Sequence, residues 1–117
     1  MITVDDVREF VADFPRSYEV VVRDRIKFRV GQIVWLAFSR DESVMGFAFP
    51  KEERAMLVET YPDKFMLPRE SDMRFNWVLA RCDAIDVGEM HELVYDAGRM
   101  VVPKKLWNAA GHGLDPD

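Results

Sequence analysis

Three cationic side chains recur at every second position in the run RIKFRV, residues 25–30. Arg25, Lys27 and Arg29 alternate with apolar residues, the period of two that a β-strand shows and a helix does not. Alternation places all three cations on one face of a strand, where they could contact phosphate groups or an acidic peptide. The competing interpretation is a solvated strand whose charges discourage aggregation.

The other residue types that carry chemistry do not form a catalytic pattern. His91 lies beside an apolar helical stripe and His112 lies near the C-terminus, and neither has a carboxylate or cysteine at metal-ligand spacing. Glu70 and Asp72 flank Ser71 without a further group to complete a relay. The sequence contains no Gly-rich phosphate loop and no nucleophile elbow. We therefore expect a non-enzymatic protein without a metal or a cofactor.

Cysteine content and hydropathy indicate the cellular compartment of the protein. The single cysteine, Cys82, excludes an internal disulfide and a cysteine-based metal cage, and we expect it to be a buried structural thiol. No apolar run approaches the ~18 residues of a membrane-spanning helix. The acidic, amphipathic N-terminus does not resemble a signal peptide. These features predict a cytoplasmic protein.

Length and charge set further bounds. A chain of 117 residues that is 49% hydrophobic is long enough for one domain with a proper core. Its net charge of −5 counts against a general nucleic-acid binder. The charge is uneven, however, because residues 16–40 hold six basic residues against two acidic ones. The cationic stripe therefore lies in a locally positive part of an acidic protein.

The stripe belongs to a predicted meander of three strands over residues 25–49. Gly31 and Gln32 suit a type II′ hairpin turn, since Gly accepts positive φ without a steric penalty. The expected pairs are Val30 with Ile33, Phe28 with Trp35, Ile26 with Ala37, Ala37 with Val44 and Trp35 with Gly46. This register makes one face wholly apolar, and that face should contact the core.

The opposite face of this register would combine cations with large apolar side chains. Its expected members form the candidate binding surface: Arg25, Lys27, Arg29, Val34, Leu36, Phe38, Met45 and Phe47. Burial would yield ~1.5–3 kcal/mol per large side chain, so we expect a partner protein, a second copy of the chain or a ligand to cover it. If the two faces are inverted, the same apolar residues are ordinary core beneath a helix.

The remaining elements follow from helical periodicity, capping and proline positions. Helices are expected at residues 3–14, 50–61 and 86–102, and further strands at residues 17–23, 65–67 and 75–82. Asp86 and Glu89 have the spacing of a capping box, and Gly98 marks close packing or a bend. We expect core packing for Trp35 and Trp77 rather than stacking on a base. Adjacent strands with short connections predict an α+β fold with an antiparallel sheet.

Four segments resemble the MmcQ/YjbR-like family: IKFRVGQIVWLAF at residues 26–38, FAFPKEERAML at 47–57, MRFNWVLA at 73–80 and ELVYDAGRMVVPKKL at 92–106. The resemblance implies a two-layer α/β sandwich of α-β(3)-α-β(2)-α order, similar to type III secretion chaperones. We expect a single domain over residues 1–104, followed by a flexible tail over residues 105–117 whose Trp107 docks back onto the domain. Members are often labelled DNA-binding, by analogy of fold. At Phe47 many relatives are expected to have lysine, and the apolar residue favours a partner over phosphate.

Three functions are compatible with these observations. We favour a protein- or peptide-binding module that works through the exposed face of the sheet, alone or as a homodimer. The alternative is a DNA-binding protein that uses the cationic stripe, which the net charge disfavours. A small-molecule binder or minor enzyme with a pocket between sheet and helices rests only on the abundance of aromatic residues.

Overall fold

The computed structural model describes residues 1–111 as an α+β fold, in which a six-stranded antiparallel sheet packs against helices. The strands are β1 Ser17–Val22, β2 Arg25–Val30, β3 Ile33–Phe38, β4 Val44–Ala48, β5 Phe65–Met66 and β6 Trp77–Arg81. The helices are α1 Val4–Val11, α2 Arg54–Thr60, α3 Val87–Val101 and α4 Lys104–Ala109, with a 3₁₀ turn at Glu70–Asp72. The strands are ordered β1-β2-β3-β4-β6-β5 across the sheet, so β1 and β5 are its edges.

Local sequence signals explain where the longer helices begin. The Thr3 hydroxyl accepts a hydrogen bond from the Asp6 amide, and the Asp6 carboxylate accepts one from the Thr3 amide. Asp86 and Glu89 exchange the same pair of bonds at the start of α3, as their spacing predicts. Each box satisfies two amides that a helix N-terminus otherwise leaves without a partner.

The first two hairpin turns follow their residue types. Val22 pairs with Arg25, and the two loop residues between them, Arg23 and Asp24, have φ of 53° and 67°, as a type I′ turn requires. Val30 pairs with Ile33 as expected, and Gly31 has φ of 60°. The II′ assignment of the second turn therefore agrees with the structure.

Beyond Val34 the predicted register is wrong. A β-bulge in β3 sets Phe28 opposite Leu36 and Arg29 opposite Val34, so Trp35 has no partner of its own on β2. Because a bulge places two residues against one, the alternation of β3 inverts there, and both Trp35 and Leu36 are buried on the core side. A one-residue shift exchanges the faces of every residue that follows.

The β3–β4 connection is also longer than predicted. Phe38 pairs with Met45, and residues 39–43 form a loop around the Asp41 carboxylate, which accepts hydrogen bonds from the hydroxyls of Ser43 and Ser39. These bonds lower the pKa of Asp41 to about 2, since they favour the ionised carboxylate. Ala37 consequently pairs with Gly46 instead of Val44.

The core lies between the sheet and the helices. Phe14, just beyond α1, stacks on Trp35 with ring centroids 5.7 Å apart and meets Trp107 edge-on at 5.2 Å. Trp107 belongs to α4 and is buried, so residues 105–109 of the expected tail form a packed helix. Residues 112–117 of the expected tail, which include His112, lie outside the described residues.

Two expectations from composition concern Cys82 and the membrane. Cys82 is a free, buried thiol, and burial raises its pKa to about 11, so it is protonated and unreactive at neutral pH. Within residues 1–111, no helix has both the length and the apolar character that crossing a bilayer requires.

Candidate binding face

One face of the sheet is built from the strand residues that point away from the buried aromatic core. We call it the open sheet face, and the strand pairings give its members: Tyr18, Val20, Val22, Arg25, Lys27, Arg29, Val34, Ala37, Val44, Gly46, Ala48, Met66, Trp77, Leu79 and Arg81. All of them except Gly46 and Ala48 are partly or fully exposed. Their neighbours of opposite parity on β3, β4 and β6, such as Leu36, Phe47 and Val78, are fully buried.

The charge of the open sheet face is of one sign. Its members include four cations, Arg25, Lys27, Arg29 and Arg81, and no carboxylate, although the chain has 21 acidic residues. Among residues 1–111 the ion pairs are made by Arg8, Lys64 and Arg69, and none involves these four cations. The face therefore carries positive charge that the fold does not neutralise.

Arg29 is the most enclosed of the cations on β2. Its Nε is shielded from solvent and has no hydrogen-bond partner among residues 1–111. Arg81, at the other side of the face, donates from its guanidinium to the Pro62 carbonyl over 3.1 Å. A shielded donor without an acceptor is costly, so the guanidinium of Arg29 is incompletely satisfied within residues 1–111.

Trp77 forms the apolar centre of the open sheet face. Gly46 has no side chain, and the indole of Trp77 occupies that space so closely that a Cβ on Gly46 would be 2.6 Å from Trp77 Cζ2. Leu79 and Met66 pair beside it on β6 and β5. The other tryptophans, Trp35 and Trp107, are buried in the core. The expectation of core packing is thus confirmed for Trp35, whereas Trp77 is a partly buried residue of the open sheet face.

Arg54 fixes the chain that leads into Trp77. It is 5% exposed, and its guanidinium donates to the carbonyls of Phe75, Trp77 and Met73. Three carbonyl acceptors and no carboxylate satisfy a charge that would otherwise be costly to bury. Arg54 thereby ties the first residue of α2 to the start of β6. Sequence reasoning missed this role, because an arginine at a helix start usually lies in solvent.

The structure separates the eight predicted surface residues into two groups. Arg25, Lys27, Arg29 and Val34 do lie together on the open sheet face. Leu36, Phe38, Met45 and Phe47 lie in the core, each no more than 1% exposed, because the bulge inverted their parity. The apolar Phe47 therefore fills the core, and its identity says nothing about phosphate binding.

The apolar part of the open sheet face comes instead from residues that were not predicted for it. Ala37, Val44 and Gly46 replace the larger side chains on β3 and β4, and β6 contributes Trp77, Leu79 and Arg81. Their alternate positions on β6 place these three residues on one face. What the sequence pattern lacked was the pairing of β4 with β6, which joins residues 29 to 37 positions apart.

A second concave region lies between α1 and α3. Phe10 stacks on His91 there, with ring centroids 4.0 Å apart, and the surrounding side chains include Asp6, Glu9 and Asp13. No set of three or more metal-ligating side chains converges at this cleft or elsewhere within residues 1–111. The cleft is shallow and acidic, and His91 contacts a ring instead of a nucleophile, so we assign it no chemistry.

Comparisons with known proteins agree with this architecture. The family model described as YjbR matches residues 12–100. The chain is similar to the crystal structure of protein DR2400 of Deinococcus radiodurans, which has the family-model domain DUF419. The two share 19% identity with a TM-score of 0.76, over 96% of this chain and 90% of that one, which shows a common fold. A search of curated proteins gave no match. With most of its length matched by the family model, the chain belongs to the YjbR family.

Proposed function

We propose that the protein is a binding module whose open sheet face receives an acidic, extended segment of a partner protein. The observation that carries the proposal is the four unpaired cations and the absence of any carboxylate on that face. Carboxylates of the partner would form charge-assisted hydrogen bonds with the guanidinium and ammonium groups. Within residues 1–111, the strands supply no acidic side chain on this face that would compete with them.

Spacing supports an extended peptide. Arg25, Lys27 and Arg29 occupy alternate positions of one strand, so they recur about every 7 Å along β2. Alternate side chains of an extended peptide repeat at the same distance. A segment with acidic residues at every second position would therefore offer one carboxylate to each cation without bending.

The apolar centre of the face favours a peptide over a nucleic acid. Leu79, Met66 and the Trp77 indole lie on the same face as the cations, near Arg81, with β3 and β4 between them and β2, and apolar side chains of a peptide could pack on them. Duplex DNA contacts proteins chiefly through phosphate and sugar and would leave this apolar area uncovered. The net charge of −5 also repels a polyanion at long range.

The sequence suggests a fold similar to that of type III secretion chaperones and a cytoplasmic localisation, and both are compatible with this proposal. The expected α-β(3)-α-β(2)-α order lacks one strand and one helix, because four strands precede α2 and α4 follows α3. We keep the two-layer sandwich and its likeness to type III secretion chaperones as part of the proposal. The chain has a single cysteine and therefore does not depend on an internal disulfide, and we place the protein in the cytoplasm.

The test is a titration of the protein with a labelled peptide of alternating glutamate and valine, followed by fluorescence anisotropy. Lys27→Glu reverses the central charge of the stripe and should weaken binding by about tenfold or more, since a charged hydrogen bond is lost and a repulsion added. Lys105→Glu makes the same change of charge on α4, away from the face, and should leave the affinity nearly unchanged. Equal affinities of the two variants would contradict the proposal.

DNA binding is the second candidate, and one observation favours it. A partly buried indole on the same face as four cations is an arrangement on which a base could stack while phosphates are neutralised. The same titration with duplex and single-stranded DNA decides between the two candidates. Binding of DNA that is tighter than that of the peptide, falls steeply with salt and is lost in Lys27→Glu would replace the peptide proposal.

A further inference from the structure

Strand β1 is a free edge of the sheet. It pairs with β2 on one side, and no other strand within residues 1–111 pairs with it. At six residues it is three times as long as β5, the opposite edge, which has two. A free edge strand presents unpaired backbone groups on which another chain can pair.

The hairpin geometry identifies which backbone groups are free. In a two-residue hairpin the closing pair, Val22 with Arg25, exchanges both backbone hydrogen bonds, and hydrogen-bonded and non-bonded pairs then alternate along the ladder. Val20 and Tyr18 therefore bond to β2. Glu19 and Val21 direct their N–H and C=O groups away from β2, toward the free edge.

No feature of β1 protects this edge from pairing with another strand. Natural edges are usually protected by lysines, prolines, bulges or inward-pointing charges. The sequence SYEVVV has no lysine or proline, and its pairing with β2 is continuous. Val21 is 66% exposed and Tyr18 is 43% exposed. The one carboxylate, Glu19, is held by Arg8 through bonds of 2.9 and 2.7 Å, which lower the pKa of Glu19, so its charge is already compensated.

The charges around the edge are complementary to an acidic strand. Arg16 and Arg23 are exposed and lie directly before and after β1. A strand added beside β1 would lie about 10 Å from β2, two strand spacings away. Only Val20 and Val22, which are short, lie between it and the long side chains of Arg25 and Lys27 on the open sheet face. Carboxylates on the added strand are thus within reach of these cations.

We propose that the acidic segment binds by adding an antiparallel strand to the free edge of β1, with its carboxylates toward the open sheet face and its alternate apolar residues beside Val21. This inference rests on the proposed function and names how the partner is held. In an antiparallel ladder, two residues that exchange backbone hydrogen bonds place their side chains on the same face of the sheet. Residues of the segment that bond to Glu19 and Val21 therefore place their side chains on the helix side. The apolar residues of the segment therefore donate the backbone bonds, and the acidic residues direct their N–H groups outward.

This arrangement predicts an asymmetric response to N-methylation of the glutamate–valine peptide. Methylating the valine amides removes the donors that face β1 and should weaken binding at least tenfold. Methylating the glutamate amides alters only the outward edge and should leave binding within about threefold. Equal losses, or a greater loss from glutamate methylation, would overturn the strand-addition model. If Lys27→Glu still weakens binding in that case, the proposed function survives without this inference.

A variant of the protein tests the same ladder from the other side. Val21→Pro removes an outward N–H while keeping the bonds of β1 to β2, and should weaken the unmethylated peptide about tenfold. Val21→Thr keeps the N–H and the β-branched shape and should bind as wild type. Circular dichroism of both variants verifies folding, and the methylated peptides decide the matter if Val21→Pro is unfolded. A peptide-free dimer that Val21→Pro dissociates would assign the edge to a second copy and overturn the proposal.

Discussion

Arg54 connects helix α2 to the open sheet face at the level of single atoms. Its guanidinium reaches three carbonyls in the segment that precedes and begins β6. The planar fork of arginine suits several fixed acceptors at once, whereas a lysine ammonium is a single point of charge. The position of Trp77, and with it the apolar centre of the face, thus depends on a residue outside the sheet.

We expect Arg54→Lys to lower the free energy of unfolding by about 2–3 kcal/mol, because at least one buried carbonyl loses its donor. Arg69→Lys is the matched control, since Arg69 is exposed and its ion pair with Asp72 lies at the surface. That control should stay within ~0.5 kcal/mol of wild type. Urea unfolding followed by circular dichroism measures both, and equal stabilities would refute the anchoring role of Arg54.

At the scale of elements, Gly98 is the point where α3 packs against Phe14 and against Trp107 of α4. A Cβ at this position would be 2.8 Å from Phe14 Cε2 and 3.2 Å from Trp107 Cζ3. Gly98 is therefore a point of close approach, the first of the two alternatives that its place in a helix suggested. Phe14 stacks on Trp35 of β3 and meets Trp107 edge-on, so this contact links both helices to the sheet.

Gly98→Ala should lower the free energy of unfolding by about 1–3 kcal/mol. The steric overlap with Phe14 and Trp107 outweighs the ~1 kcal/mol that alanine gains over glycine in a helix. Gly88→Ala in the same helix meets only the Asp86 carboxylate, at 3.3 Å, and should change stability by less than ~1 kcal/mol. Thermal unfolding of the two variants compares them, and a stabilised Gly98→Ala would show that the helices do not pack as described.

The elements that could be predicted are those fixed by local chemistry. The capping box at Asp86, the turn at Gly31 and the parity of β2 each depend on a few neighbouring residues, and all agree with the structure. The parity of β3 could not be predicted, because IVWLAF is apolar throughout and either face could be the buried one. The bulge at Trp35 lets a large indole and Leu36 both reach the core.

Helix α4 could not be predicted from the sequence for a different reason. Six residues are too few for a stable isolated helix, so propensity alone indicates a tail. Burial of Trp107 against Phe14 and Tyr95 supplies the tertiary contact that holds it. The role of Arg54 could not be predicted either, because its acceptors come from a segment some twenty residues away.

At the scale of the whole molecule, the charges are separated. The acidic groups Asp6, Glu9, Asp13, Glu92 and Asp96 border the clefts beside α1 and α3. The unpaired cations lie on the opposite side of the sheet. An acidic net charge therefore coexists with a positive working face, and an acidic peptide would be repelled from the helices while the sheet attracts it.

The central claim is that the open sheet face and its β1 edge are the binding site. Backbone amide shifts of isotope-labelled protein, followed during titration with the glutamate–valine peptide, test it directly. We predict that the largest shifts occur along β1 and β2, at Glu19, Val21 and Lys27, while the amides of α1 and α3 stay unchanged. Shifts concentrated at Phe10 and His91 between the helices, or no shifts at all, would contradict the account.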